Sequence, residues 1–388
     1  MKRKIAILGA TGTIGQAAID IISKYPDKFE IYSLAVNSNI DRLKELVIKF
    51  KPKEVTIFSE EYYNKFKEEF SPEYNLKIYH SIEGLNILAS NPEVDIVIIS
   101  VVGAIGLYPT ITAIKNEKHV ALANKETLVI GGELINNLLN KYPKAKLLPI
   151  DSEHSAILQC LEAANNNPIE KIIITASGGP FVDIDKNKFK DISVEMALKH
   201  PTWNMGKKIT IDSSTLINKG LEIIEAHYLF NIEYNKIEPI IHRQSIIHSM
   251  VEFEDGSIIA QLSITDMKLP ILYALTYPKR YKTNLKLNLY EISKLTFEKV
   301  DFDKFRGLKL AIEAGKKGNI YTIIFNAADE VAVDAFLNKK IRYDQIENVI
   351  EETLNSYSGS IDVLKIEDIL YLDKWSRNKA NEIIGELK

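Results

Sequence analysis

Between residues 1 and 150 short apolar runs alternate with amphipathic stretches, and this alternation constrains the fold more than any other feature. The runs Ile5–Leu8, Ile31–Val36, Val55–Phe58, Asp95–Val102, His119–Leu122 and Leu147–Ile150 are β-rich, and several are apolar throughout. A strand that is apolar at every position is covered on both faces, and the intervening helices supply the cover. The pattern predicts a Rossmann-like parallel sheet. Behind the first run comes Gly9-Ala-Thr-Gly12-Thr-Ile-Gly15, followed by an amphipathic helix over Gln16–Ser23. Such glycines allow a tight strand-to-helix turn and close approach of backbone to a pyrophosphate, which the helix N-terminus attracts. Ala10 stands where the usual spacing has its first glycine, so an ordinary βα turn that binds nothing is the competing reading.

The second run ends in Val36-Asn37-Ser38-Asn39 without an acid. An Asp or Glu there would hold the ribose 2′-hydroxyl of NAD and repel a 2′-phosphate. Its absence permits NADP, and the nearest basic side chain is Arg42.

Residues 151–276 change character, with strands expected at Lys171–Thr175, Ile240–Ile241 and Ser257–Ile264 and a hairpin turning at Asp255-Gly256. The pattern breaks at Tyr277-Pro-Lys-Arg280. Helical periodicity resumes in Leu308–Ala314, Ala327–Leu337, Ile346–Leu354 and Lys374–Leu387. The expected class is α/β. It comprises an N-terminal Rossmann-like domain (1–150), a central α/β catalytic domain (151–276), a linker (277–303) and a C-terminal helical domain (304–388).

Net charge is -3, with acids and bases interspersed, which argues against a nucleic-acid surface. No apolar run reaches membrane-spanning length. The basic N-terminus is followed by too short an apolar stretch for a signal peptide, so a cytoplasmic location is expected. A single cysteine, Cys160, excludes an intrachain disulfide and a cysteine-built zinc site. Its apolar neighbours suggest a buried structural thiol.

Polar chemistry gathers in a few segments. Asp151 and Glu153 stand two apart where the sixth run ends, and side chains two apart on a strand share a face. At the carboxyl edge of a parallel sheet they would face the ligand crevice. Two carboxylates that close repel unless a cation lies between them, and Mg2+ or Mn2+ suits all-oxygen ligation. Capping of the following helix by Asp151 or Ser152 is the competing reading. In 212–225, Asn218, Glu222 and Glu225 fall on one helical face with Lys219 beside it. They would meet a ligand or form a buried ion-pair network. Thr175-Ala-Ser-Gly-Gly-Pro180 has the make-up of a backbone-amide nest for phosphate. Lys199–Gly206, with His200, Trp203 and Met205, has that of a loop that closes over a substrate, and a packed core aromatic is the competing reading of Trp203.

In order along the chain, GATGTIG (9–15), LANKETLV (122–129), DSEHSAI (151–157), ASGGPF (176–181), HPTWNMGKKITIDSSTLINKGLEIIEA (200–226), QSIIHSM (244–250) and FNAADEVAVDAF (325–336) resemble the 1-deoxy-D-xylulose 5-phosphate reductoisomerase family. The resemblance covers nearly the whole chain. It implies one divalent cation (Mg2+, Mn2+ or Co2+) on Asp151, Glu153 and Glu222. Ser177, Ser213, Asn218 and Lys219 would hold the substrate phosphate, and Lys125, Ser152 and His200 the sugar chain. Lys125, Glu153, His200 and Glu222 would be catalytic. Thr11, Gly12, Thr13, Ile14, Asn37, Ser38, Asn39, Asn124, Glu126 and Gly206 would line NADPH. Loop 199–208 would be a lid carrying Trp203 over the substrate, and the protein a homodimer.

The implied reaction rearranges 1-deoxy-D-xylulose 5-phosphate by retro-aldol cleavage and re-addition. Hydride from NADPH then yields 2-C-methyl-D-erythritol 4-phosphate, in non-mevalonate isoprenoid precursor synthesis. Asn37-Ser38 depart from the glycine and frequent basic residue of the family pattern, and Arg243 from its proline. Two rivals are an NADP-dependent sugar-phosphate or semialdehyde dehydrogenase without rearrangement, and a non-catalytic nucleotide-binding protein.

Overall fold

The computed structural model describes residues 2–70, 75–165, 167–199, 203, 205–359 and 365–387. It divides into two compact units. The first comprises Met1–Thr127, Ile135–Ser155 and Asp266–Leu285, the second Leu128–Leu134, Ala156–Thr265 and Lys286–Lys388.

The first unit is a seven-stranded sheet of β1 (Arg3–Leu8), β2 (Phe29–Val36), β3 (Glu54–Ile57), β4 (Lys77–His80), β5 (Ile96–Ile99), β6 (His119–Leu122) and β7 (Lys146–Pro149). The order is β4-β3-β2-β1-β5-β6-β7, parallel throughout. Between the strands run α1 (Thr13–Lys24), α2 (Ile40–Phe50), α3 (Glu60–Glu69), α4 (Ser81–Ser90) and α5 (Leu107–Lys115), and α6 (Lys125–Lys141) and α7 (Ser152–Ala163) begin here. The central strands are buried throughout, Ile5–Leu8 on β1 and Ile96–Ile99 on β5, as continuous apolar runs require. Each such Ile or Leu contributes roughly 1.5–3 kcal/mol relative to exposure. Sequence reading found six of the seven strands. It missed β4, whose Lys-Ile-Tyr-His lies at the sheet edge, partly exposed and without an apolar run.

The second unit carries a five-stranded sheet of β8 (Ile169–Ala176), β9 (Ile237–Ile241), β10 (Ile247–Phe253), β11 (Ile258–Leu262) and β12 (Glu298–Lys299). Its order is β11-β10-β8-β9-β12, with β8 and β9 parallel and the other pairs antiparallel. The hairpin of β10 and β11 turns as expected at Asp255-Gly256, where Gly256 has φ +80° and Asp255 accepts from the Ser257 amide at 2.9 Å. Helices α8 (Val194–Ala197), α9 (Lys207–Ser214) and α10 (Ile217–Phe230) belong to this unit, α11 (Lys268–Thr276) to the first. The C-terminal helices are α12 (Arg306–Lys317), α13 (Asn319–Leu337), α14 (Gln345–Asn355) and α15 (Ile366–Glu386). Among the described residues no helix is long and apolar enough to cross a membrane.

Candidate active site

The glycine loop lies between β1 and α1, as the sequence indicates, and each glycine has a distinct role. Gly9 has φ +97°, and a Cβ there would lie 2.5 Å from the Ser100 carbonyl oxygen. A Cβ on Gly15 would lie 2.3 Å from the Gly9 carbonyl oxygen, so α1 packs directly on the turn. Gly12 is the N-cap of α1 without a side-chain cap, which presents the Thr13-Ile14 turn to a ligand. Gln16 donates to the Ala10 carbonyl at 2.7 Å and fastens the loop to the helix. After β2, Asn39 accepts from the Arg42 amide at 3.1 Å and starts α2.

Asn124, buried behind β6, caps α6 by accepting from the Thr127 amide at 3.0 Å. Its own amide group donates to the Val101 and Gly103 carbonyls and to Glu126, which in turn accepts from the Gly103 amide. These two residues therefore brace the loop 101–103. One residue on, the Lys125 ammonium pairs with Asp151.

Asp151 and Glu153 do not sit on a strand end: β7 stops at Pro149 and α7 begins at Ser152. The two acids therefore share no strand face, contrary to the expectation from their spacing. Asp151 occupies the N-cap position and accepts from the Glu153 amide at 3.1 Å, the capping role weighed against ligation. Glu153 lies in the first turn of α7, where the helix dipole favours an acid, and accepts from the Ser152 hydroxyl at 2.6 Å. Lys125, Asp151, Ser152 and Glu153 are gathered at the carboxyl ends of the adjacent strands β6 and β7. His154 follows, fully buried, with Nδ1 3.5 Å from Asp151.

In the second unit the phosphate-type segments meet. Gly178 and Gly179 have φ +87° and +67°, and Gly179 donates to the Ser177 hydroxyl at 3.3 Å. A Cβ on Gly179 would stand 2.7 Å from the Ser213 carbonyl oxygen, so the 177–179 turn lies against the end of α9. Leu216, at φ 58°, reverses the chain into α10. Its first turn carries Asn218 and Lys219, and both donate to Glu222. Lys219, Glu222 and Glu225 are buried, so the helix encloses the polar face that the sequence indicates. Close contact of Gly220 with Ala311 of α12 holds α10 in place, since a Cβ there would lie 2.4 Å from the Ala311 Cβ.

Trp203 lies with its ring 6.3 Å from that of His248 on β10. Gly206 is the N-cap of α9 with open space beside it. His200 falls outside the described residues, as do 201, 202 and 204. Arg243 bridges Asp183 and Glu298 at 2.6 Å each, tying the segment behind the phosphate turn to β12.

Sequence reading assigned no role to His154 or His248, although both stand inside quoted motifs and are buried. It also missed Lys208, whose ammonium lies 2.6 Å from both Asp212 and Asp329. Burial raises the Asp329 carboxyl above the usual range. Asp212 is one helical turn from Lys208, but Asp329 lies 121 positions away, so local spacing could show only half of this trio.

Family models for 1-deoxy-D-xylulose 5-phosphate reductoisomerase match residues 5–132, for its C-terminal domain residues 147–230, and for the DXP reductoisomerase C-terminal domain residues 262–379. The reductoisomerase of Halothermothrix orenii is 45% identical over 387 residues, with 100% of each chain covered. That of Clostridium novyi is 50% identical over 386 residues, covering 98% of this chain and 100% of that one. The chain belongs to the 1-deoxy-D-xylulose 5-phosphate reductoisomerase family.

Solved reductoisomerase structures share its fold. One from Zymomonas mobilis in complex with NADPH superposes with TM-score 0.92 at 37% identity, covering 99% of both chains. Another, in complex with NADPH, fosmidomycin and magnesium, gives TM-score 0.92 at 40% identity and the same coverage. As a member of the reductoisomerase family the protein is an enzyme, and it converts 1-deoxy-D-xylulose 5-phosphate to 2-C-methyl-D-erythritol 4-phosphate. The plain dehydrogenase and the silent nucleotide-binding protein are thereby set aside.

Proposed function

We propose that Asp151, Glu153 and Glu222 hold one divalent cation beside bound NADPH, and that Lys125, Glu153 and Glu222 act on the substrate there. The donors are all carboxylate oxygens, a set suited to Mg2+ or Mn2+. The observation that carries the reading is the cluster on α10, where buried Glu222 is met by Lys219 and Asn218 within one turn. An ammonium, an amide and a carboxylate enclosed together are costly for packing alone, and useful where a charged substrate must be held dry. When bound, such a cation polarises a ketone and holds the neighbouring hydroxyl oxygen.

The chain's own residues supply the rest. Ser177, Ser213, Asn218 and Lys219 bind the phosphate, with the 177–179 turn offering backbone amides. Lys125 and Ser152 touch the sugar, and Trp203 covers it. Anchoring the remote phosphate spends binding energy on orientation of the reacting carbons. Thr11, Gly12, Thr13, Ile14, Asn37, Ser38, Asn39, Asn124, Glu126 and Gly206 line the NADPH site, for which the uncapped first turn of α1 fits a pyrophosphate.

In functional terms residues 1–150 serve the cofactor, 151–276 the metal and substrate, 277–303 link, and 304–388 buttress. We infer a cytoplasmic homodimer. Purified protein mixed with 1-deoxy-D-xylulose 5-phosphate, NADPH and Mg2+ should lose nicotinamide absorbance, form the branched product and stop on chelation. Turnover that survives complete chelation would contradict the metal assignment.

A further inference from the structure

Asn37-Ser38-Asn39 place no formal charge where an adenosine ribose meets the end of β2, so the turn itself offers no cation to discriminate a dianionic 2′-phosphate from a hydroxyl. In the first turn of α2, however, the Arg42 guanidinium is held back toward the glycine loop. Its Nε and Nη2 donate to Gln16 Oε1 at 3.2 and 2.7 Å, while Gln16 Nε2 donates to the Ala10 carbonyl at 2.7 Å. Its backbone amide is fixed by Asn39. A continuous chain of hydrogen bonds thus runs from the pyrophosphate loop through Gln16 to Arg42.

We propose that Arg42 binds the 2′-phosphate of NADPH and sets the preference for NADPH over NADH, with Gln16 as its positioning residue. This rests on the reading that the glycine loop holds the cofactor. The guanidinium has five N–H groups, of which Gln16 takes two and Glu45 one on Nη1. One N–H on each terminal nitrogen is left, the fork that matches two phosphate oxygens. The side chain is 43% exposed and so within reach of a ligand. Its pair with Glu45, itself 64% exposed, is a surface ion pair of little net strength. A dianion competes with it on favourable terms. The other nearby cation, Lys44, is tied to Glu69 at 2.8 Å and to Asp41 at 3.7 Å.

Calorimetric titration of NADP+ and of NAD+ into the unaltered protein and into Arg42→Ala, Gln16→Ala, Lys44→Ala and Gly15→Ala tests this. Arg42→Ala should weaken NADP+ binding by about tenfold or more, the worth of a charge-assisted pair, and leave NAD+ unchanged. Gln16→Ala, which also frees the Ala10 carbonyl of the glycine loop, should weaken NADP+ by a smaller factor than Arg42→Ala does and by more than it weakens NAD+, and Lys44→Ala should change neither. Gly15→Ala should weaken both dinucleotides, which tests the loop separately. Unchanged NADP+ affinity in Arg42→Ala, or equal loss of both dinucleotides, would overturn the proposal. So would a selective NADP+ loss found in Lys44→Ala instead.

Discussion

Lys219 donates to Glu222 one turn further along α10, and both side chains are almost wholly withdrawn from solvent. Removing one partner of a buried pair leaves a charge in low dielectric and costs about 3–5 kcal/mol, whereas replacing both with apolar groups costs far less. Lys219→Met and Glu222→Leu should each lower stability in urea by about that amount. The double variant should recover most of it, while all three lose turnover. A double variant no more stable than the singles would mean that the pair is not coupled.

Gly15→Ala places a methyl 2.3 Å from the Gly9 carbonyl oxygen and 2.7 Å from the Ala10 Cα. Both are backbone atoms, so α1 must shift rather than a flexible side chain. Overpacking of this kind costs about 1–3 kcal/mol. The expected result is a lower melting temperature with a raised KM for NADPH and an unchanged KM for the sugar phosphate. Steady-state kinetics with each substrate varied in turn checks it.

Gly220→Ala drives α10 away from Ala311 of α12, where the added methyl would lie 2.4 Å from an existing one. Because α10 carries Asn218, Lys219 and Glu222, stability should fall by about 1–3 kcal/mol and the substrate KM should rise. Adding Ala311→Gly vacates the space and should restore both. Failure of that second change to rescue would place the damage elsewhere.

Cys160 is enclosed at 1% exposure, and burial pushes its thiol from the ordinary 9.0 up to about 11. A raised folded-state value means that the group's stabilising contribution is whole below pH 9. It is lost as pH climbs through 9 toward 11, where the unfolded chain ionises first, with a slope of at most about 1.4 kcal/mol per pH unit. A disulfide reagent at pH 8 should therefore modify the thiol only on unfolding, and Cys160→Ala should flatten the alkaline loss of stability. Rapid modification of the folded protein would contradict the burial.

Much of the fold was legible because its signals are local. Continuous apolar runs such as Ile5–Leu8 announce buried parallel strands, and the spacing of Gly9, Gly12 and Gly15 marks a strand-to-helix turn, although the crowding of Gly9 comes from Ser100, 91 positions on. Edge strand β4 lacks that signal, since an edge needs no apolar run. The carboxylates were identified by type and spacing, but their geometry was not. Whether Asp151 sits on a strand or at a helix cap depends on where β7 stops, and Pro149 ends it before the acid is reached. Asn124 and Glu126 show the same limit, for their bracing of loop 101–103 spans more than twenty residues. Lys208 meets Asp329 across 121 positions, a relation that only folding creates.

The most direct measurement is a titration of Mn2+ into the protein, followed by paramagnetic resonance of the free ion. The account predicts one Mn2+ bound per chain. In Asp151→Asn, Glu153→Gln and Glu222→Gln, affinity should fall by more than the roughly 10–100-fold that loss of an outer-shell partner costs. Undiminished Mn2+ binding in Glu222→Gln would contradict it.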